Sequence, residues 1–260
     1  MLLWIGLAAA VVAVVCGALA RRSNGRVKAL ESVETLPVGD LEALHEAAAG
    51  AAGAGFFRQP CEVVGAARPN EDGPLRSELS QLECVWHHHK VTRRYEETYR
   101  DNDGNRRRRT RTDVVADHAT STPFYVEDAT GKLLVHPGKQ KIDGAEKVQD
   151  TFEPYEGRSG GRITFGSLVL SLGSRSDTIG YDREEWVLRP GARVFAHGEA
   201  GDETGRLVLG APAEGGVFIL STRTEGQLVR RENNHVLGWG IGAGVTGVAG
   251  VVLLILAAVL

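Results

Sequence analysis

The sequence predicts a membrane-anchored α+β protein, in which a mostly antiparallel β domain, barrel- or sandwich-like, lies between two transmembrane helices. Two observations lead to this fold class. Residues 1–20 and 236–260 contain no charged residue, and about 20 apolar residues in helical form are enough to cross a bilayer core. Between them, short β-prone runs alternate with Gly-rich turns, which is typical of barrels and sandwiches. The balanced charges and the many Val and Leu residues of this middle part exclude a disordered chain.

The first charge-free segment, residues 1–20, is predicted to be an uncleaved membrane anchor. A secretory signal peptide is the alternative, because Ala18, Leu19 and Ala20 resemble a cleavage site. However, no basic residue precedes the apolar run, and the run is longer than that of a usual signal peptide. Both points favour an anchor.

The second charge-free segment, residues 236–260, is predicted to be the other transmembrane helix. Gly242, Gly244 and Gly247 have the G-x-G-x-x-G spacing, but a dinucleotide site would require a preceding strand and a βαβ unit around them. Gly240 and Gly244 are instead predicted to form a small-residue face. Such a face can pack on the first helix or mediate self-association in lipid.

Basic residues flank both segments on the side of the middle domain. Arg21 and Arg22 follow the first segment, and Arg230 and Arg231 precede the second. Because loops rich in Lys and Arg stay in the cytoplasm, this pattern predicts a cytoplasmic central domain at the plasma membrane of a prokaryote. The predicted organisation is a juxtamembrane linker over 21–55, a β-rich domain over 56–221 and a juxtamembrane helix over 222–235. Within the linker, residues 36–49 have helical spacing, with Asp40 as the expected N-cap.

The β-rich domain is predicted to contain one extended hairpin. Its strands cover residues 75–99 and 106–118, and the sequence Asp-Asn-Asp-Gly at 101–104 marks the turn. The other runs of β-prone residues predict strands at 61–67, 123–127, 132–136, 162–172, 193–199, 206–209 and 217–221.

Three consecutive histidines, at 87–89, are the most conspicuous cluster of metal-binding side chains. On a strand, His87 and His89 share a face, as two metal ligands would. The favoured interpretation is nevertheless a set of surface or partly buried strand histidines without a metal. Cys61 and Cys84 give neither a disulfide framework nor a zinc-ligand pattern.

Catalytic motifs such as G-x-S-x-G, Walker A and HExxH are missing from the sequence. The adjacent carboxylates Glu184 and Glu185 are predicted to be surface charges. The sequence therefore predicts no catalytic residue and no cofactor.

A dense basic run stands beside the predicted hairpin turn, formed by Arg106, Arg107, Arg108, Arg109 and Arg111. The simplest interpretation is a solvated hairpin whose arginines are neutralised across the strands by Glu96, Glu97, Asp101 and Asp103. Contact with anionic lipid headgroups or a protein partner is the second interpretation. Nucleic acid is the third interpretation and is disfavoured, because neither a recognition helix nor interleaved aromatic residues accompany the run.

The order of several motifs resembles the GIDE family, which contains the BAM ("beside a membrane") domain. The motifs are Cys84-Val85-Trp86, the long charged hairpin, PFYVEDATGKLLV at 123–135, YDREEWVLRPGARVFAHGE at 181–199 and Phe218-Ile219-Leu220-Ser221. The resemblance covers about residues 36–231 and both apolar segments.

The resemblance implies a relation to membrane-anchored mitochondrial RING-type E3 ubiquitin ligases. A RING finger needs eight Cys or His ligands for two zinc ions, whereas this sequence has three cysteines and no CxxC. It thus looks like a RING-less, prokaryotic-type member. The expected function is a non-catalytic interaction domain at the membrane surface, and the alternative is a component of a ubiquitin-ligase-like system whose RING lies on another chain.

Overall fold

A computed structural model describes residues 2–155, 162–171, 177–203 and 205–259 of the chain. These residues form three helices and fourteen strands. In chain order they are α1 (Leu2–Ser32), α2 (Val38–Ala52), β1 (Arg58–Arg68), β2 (Leu75–Arg76), β3 (Glu83–Cys84), β4 (Trp86–Arg100), β5 (Arg106–Ala119), β6 (Phe124–Glu127), β7 (Lys132–Val135), β8 (Glu146–Pro154), β9 (Arg162–Phe165), β10 (Leu168–Ser171), β11 (Thr178–Leu188), β12 (Arg193–Gly201), β13 (Val208–Gly210), β14 (Ile219–Ser221) and α3 (Glu225–Val259).

Five strands close into a barrel in the order β1-β6-β7-β13-β12, and β12 pairs again with β1. Every neighbouring pair in this ring is antiparallel except β7 with β13. Strand β14 adds to β12 outside the ring. The predicted mostly antiparallel β domain is confirmed, and of the two predicted forms the barrel is the one that is found.

The barrel interior is filled by the inward-facing side chains of its strands, as expected for a small barrel. Val63 of β1 and Ala196 of β12 are directly opposite each other and both are fully buried. Phe124 of β6 and Val135 of β7 form a second buried pair, and Trp86 packs in the same core. These buried side chains together form the core of the barrel.

A second sheet has the antiparallel order β5-β4-β11-β8. The predicted hairpin is its longest element. Strand β4 pairs with β11 as far as Tyr95, whereas its pairing with β5 continues to Arg100 opposite Arg106. The end of the hairpin thus extends beyond the other strands described.

The prediction of one strand over 75–99 is wrong, because a buried carboxylate interrupts it. Glu185 of β11 accepts hydrogen bonds from the backbone N–H groups of Leu79 (2.7 Å) and Ser80 (2.8 Å) and from the hydroxyl of Ser77 (3.0 Å). These bonds hold residues 77–80 in a turn between β2 and β3. Glu185 is fully buried, so its prediction as a surface charge is also wrong.

The predicted strand over 162–172 is two strands, because Gly166 (φ 56°) turns the chain between β9 and β10. Leu172, its predicted last residue, lies outside the described residues. Strands β8 and β11 were not predicted. Both carry charged residues at neighbouring positions, which hides the alternation that identifies a strand.

Helix α2 begins at Val38, and its cap differs from the prediction. Asp40 lies inside the first turn of the helix. The backbone N–H of Val38 instead donates to Asp128 Oδ2 at 2.9 Å. The other carboxylate oxygen of Asp128 accepts from the backbone of Thr130 and Gly131. One aspartate therefore holds both the β6–β7 turn and the start of α2.

Helices α1 and α3 contain the two charge-free segments and form a unit of their own with residues 33, 34, 223 and 224. The stretches Trp4–Lys28 and Glu225–Leu253 are long and apolar enough to cross a membrane. Only 11% and 6% of their most apolar windows are buried, which distinguishes both helices from the core helix of a soluble protein. The two predicted transmembrane helices are therefore present as candidate spans.

Small residues line the contact between α1 and α3, but not the predicted ones. A Cβ atom at Gly250 would lie 3.4 Å from Gly6 O and Ala10 N. At Gly240 and Gly244, no described atom would lie within 4 Å of an added Cβ. The prediction that these two glycines face the first helix is wrong, and their role in self-association stays a prediction.

Close approach of β1 and β6 should make Gly65 intolerant of any side chain. A Cβ atom there would lie 2.3 Å from Glu127 O, so Gly65→Ala must force the strands apart. We expect a loss of about 1–3 kcal/mol in the free energy of unfolding, measured by thermal unfolding of the full chain in detergent. Gly210→Ala is the matched control in the same barrel, since its nearest neighbour would be 3.9 Å away. Equal melting temperatures for both variants would contradict the prediction.

Candidate functional site

The end of the β4–β5 hairpin is exposed and densely charged. Six arginines and four carboxylates lie within residues 96–111. Because residues directly opposite on two strands share a face, the register assigns Arg107, Arg109 and Arg111 to one face of the hairpin and Arg106 and Arg108 to the other.

On the first face, three arginines share two carboxylates in ion pairs. Arg107 lies 2.7 Å from Asp101, while Arg109 and Arg111 lie 2.6 Å and 3.1 Å from the same carboxylate oxygen of Glu97. Hydrogen bonds from Arg109, and then from Arg111, lower the pKa of Glu97. The Arg109 guanidinium also lies over the ring of Tyr99, 4.8 Å from its centroid. This is the ion-paired hairpin face, on which the predicted pairing across the strands is present for all three arginines.

The opposite face is poorly balanced. Arg108 has one long contact, 3.4 Å, with Glu96. Arg106 is directly opposite Arg100 in the register, and both are exposed. No carboxylate of the described residues forms an ion pair with either of these two arginines. Sequence reasoning missed Arg100 because the turn separates it from the basic run, and its pairing with Arg106 follows only from the register in the structure.

The three consecutive histidines are divided between the two faces of the second sheet. His88 lies 2.6 Å from Asp117 and stacks on Trp186, with ring centroids 4.9 Å apart. Lys141 contacts the same carboxylate at 2.8 Å. Desolvation acts to raise the pKa of Asp117, but the bonds from His88 and Lys141 outweigh it and the pKa is lowered.

His87 and His89 face the other side of the sheet, as predicted, and are almost fully buried. Their Nδ1 atoms have no hydrogen-bond partner among the described residues. The ring of His118 lies 5.9 Å from that of His89. Within the described part of the chain, no three His, Cys, Asp or Glu side chains stand in an arrangement that could hold a metal ion. Burial lowers the pKa of both histidines, although Glu78 and Glu185 act in the opposite direction.

Neither thiol of the β domain is suited to nucleophilic chemistry. Cys61 and Cys84 are fully buried. Desolvation raises the pKa of Cys61 to about 11 and that of Cys84 to about 12. The thiolate, which is the reactive form, is therefore suppressed at both positions.

The basic residues predicted to flank the membrane lie on the two long helices. Arg21 and Arg22 are exposed on α1, which continues through them to Ser32. Arg230 and Arg231 are exposed on the first turns of α3. Arg26 and Glu232 lie 3.3 Å apart and join this part of the two helices.

The buried histidines should make the stability of the β domain depend on pH. Their pKa values are lowered on folding, so the unfolded chain binds more protons below its own histidine pKa of about 6.5. The contribution of these histidines to the free energy of unfolding is therefore complete above about pH 6.5 and is lost as the pH falls toward their folded-state pKa. The loss is at most about 1.4 kcal/mol per pH unit for each histidine. We expect the melting temperature of the full chain in detergent to fall between about pH 7 and pH 5.

The double variant His87→Gln, His89→Gln should have a shallower dependence on pH over the same range. His136→Gln is the control, because His136 is an exposed histidine of the same domain. If the double variant keeps the full pH dependence of the wild type, other groups cause it.

Comparison with known proteins identifies the family. The family model of GIDE, described as E3 ubiquitin ligase, matches residues 94–255. No curated protein and no solved structure matches the chain. The match begins in β4, includes the arginine hairpin and ends within α3. Because it spans more than half of the sequence, the chain belongs to the GIDE family.

Proposed function

We propose that this chain is a two-span membrane protein that presents its GIDE domain as a non-catalytic interaction module at the membrane surface. The observation that carries the proposal is the end of the β4–β5 hairpin. It extends beyond the strands described beside it and exposes arginines on both faces. An exposed, charged hairpin on a packed β domain suits contact with another surface better than it suits enclosure of a substrate.

The chemistry of the buried groups supports a non-catalytic role. Glu185 is saturated by hydrogen bonds from the 77–80 turn. His197 and Glu62 form a buried pair 3.0 Å apart on the β1–β12 ladder. Both thiols have raised pKa values. Each of these groups contributes to the packing of the fold.

A second candidate function is a part in a ubiquitin-ligase-like system, which the description of the GIDE family favours. Residues 1–260 contain three cysteines and no CxxC, so the zinc ligands of a RING finger would have to come from outside these residues. Faster discharge of a ubiquitin-loaded conjugating enzyme in the presence of the full chain would support this candidate. An unchanged discharge rate would count against activity of the chain by itself.

An interaction module should form contacts through its hairpin in native membranes. We expect a photo-crosslinking amino acid at Thr98 to give discrete adducts, because Thr98 is exposed on the hairpin beyond β11. Glu214, exposed elsewhere on the same domain, is the matched control position. Adducts are identified by mass spectrometry of the purified full chain. Identical adducts from both positions, or none from Thr98, would contradict the proposal.

The proposed location is the plasma membrane of a prokaryote, with the β domain in the cytoplasm, supported by Arg21, Arg22, Arg230 and Arg231. We expect Asn102→Cys, at the exposed hairpin turn, to react with a membrane-impermeant maleimide only after the cells are lysed. The wild-type chain is the background control, because its three cysteines are buried. Labelling of the variant in intact cells would place the domain outside.

A further inference from the structure

Two arginines of like charge face each other at the end of the hairpin. Arg100 and Arg106 form the last pair of the β4–β5 ladder, so their Cβ atoms lie about 5 Å apart on one face. Like charges directly opposite each other destabilise a hairpin. On the ion-paired face, every arginine has a carboxylate partner. The described residues provide none for this pair, which we call the arginine fork.

The arginine fork has the chemistry of a phosphate site. Each guanidinium presents several N–H donors in a planar arrangement that matches phosphate oxygens. An anion bound between the two side chains removes the repulsion that the bare pair creates. Arg108 lies two residues from Arg106 on the same face and has only its long contact with Glu96, so a third guanidinium is available beside the fork.

We propose that Arg100 and Arg106, assisted by Arg108, bind the phosphate groups of anionic lipids on the surface of the membrane in which the chain is anchored. This inference rests on the proposed function and gives its interaction surface a ligand.

The membrane is the favoured source of phosphate because the two proposed spans tether the β domain to it at both ends. The part of α1 after Ala20 ends at Ser32 and is about 18 Å long, and the part of α3 before Val236 is about 16 Å long. From Glu97 to Arg100 the hairpin extends about 14 Å beyond its pairing with β11. A tether of this length at both ends gives headgroups a high effective concentration around the β domain. Tyr99, 37% exposed at the same end, is a residue type common at membrane interfaces.

A probe at the hairpin turn tests the inference in the full chain. Asn102→Cys carries a fluorophore, and the protein is reconstituted in lipid nanodiscs that contain a lipid with a nitroxide quencher on its headgroup. We expect quenching about threefold stronger in discs rich in phosphatidylglycerol than in phosphatidylcholine discs. The difference should disappear at about 0.5 M sodium chloride, where the Debye length is only about 4 Å.

Two double variants that lose the same positive charge distinguish binding by the arginine fork from a general effect of net charge. Arg100→Gln, Arg106→Gln should reduce the quenching to the phosphatidylcholine level. Arg107→Gln, Arg109→Gln removes two ion-paired arginines and should keep at least half of the effect. The fork variant should melt no lower than the wild type in uncharged detergent, because it relieves a like-charge pair; this keeps a folding defect distinguishable from a binding defect.

Three results would overturn the inference. The first is quenching that does not depend on phosphatidylglycerol, and the second is an equal loss of quenching in both double variants. The third is absence of quenching while inorganic phosphate or an RNA oligonucleotide changes the anisotropy of the probe. The last result would assign the fork to a soluble ligand. If lipid binding fails but Thr98 still forms its adducts, only this inference is wrong and the proposed interaction module stands. If the proposed function is wrong, the Thr98 adducts are absent as well.

Discussion

The antiparallel pairing of β1 with β12 is the interaction on which the rest of the β domain depends. It runs from Arg58 opposite Gly201 to Ala66 opposite Arg193 and closes the barrel. Strand β6 then pairs with the end of β1, and β13 and β14 pair with β12. A closed barrel has no edge strand in its ring that other segments must cover. The remaining chain can therefore form long segments that extend away from the barrel. The β4–β5 hairpin is the largest of them.

Much of the fold could be predicted from local patterns. The two candidate spans follow from the absence of charge, and the barrel strands follow from short β-prone runs between turns. What could not be predicted is set by partners distant in sequence. Glu185 is adjacent to Glu184 and has the same side-chain chemistry. Only the folded chain brings it to the backbone N–H groups of Leu79 and Ser80, where burial of a carboxylate is compensated by hydrogen bonds. The helix cap at Val38 is likewise supplied by Asp128, which is 90 residues away.

The candidate site, too, could be predicted from the sequence only in part. The basic run and its neighbouring acids are visible in the sequence, and the structure pairs Arg107, Arg109 and Arg111 with Asp101 and Glu97. The contribution of Arg100 depends on register, which a one-residue slip would change. The positions of the histidines could likewise be predicted only in part. Alternation correctly assigns His87 and His89 to one face, but which face is covered depends on the 77–80 turn and on β11.

The unbroken course of α1 from its apolar segment to Ser32 has a mechanical consequence. A helix that enters the bilayer and continues beyond it acts as a lever, because a tilt of the inner part moves the outer part as well. Transmembrane helices accommodate hydrophobic mismatch by tilting, on average by about 20°. Over the roughly 18 Å of α1 that follow Ala20, such a tilt displaces Ser32 sideways by about 6 Å. With α1 as a membrane span, as proposed, the position of Ser32 would therefore respond to bilayer thickness.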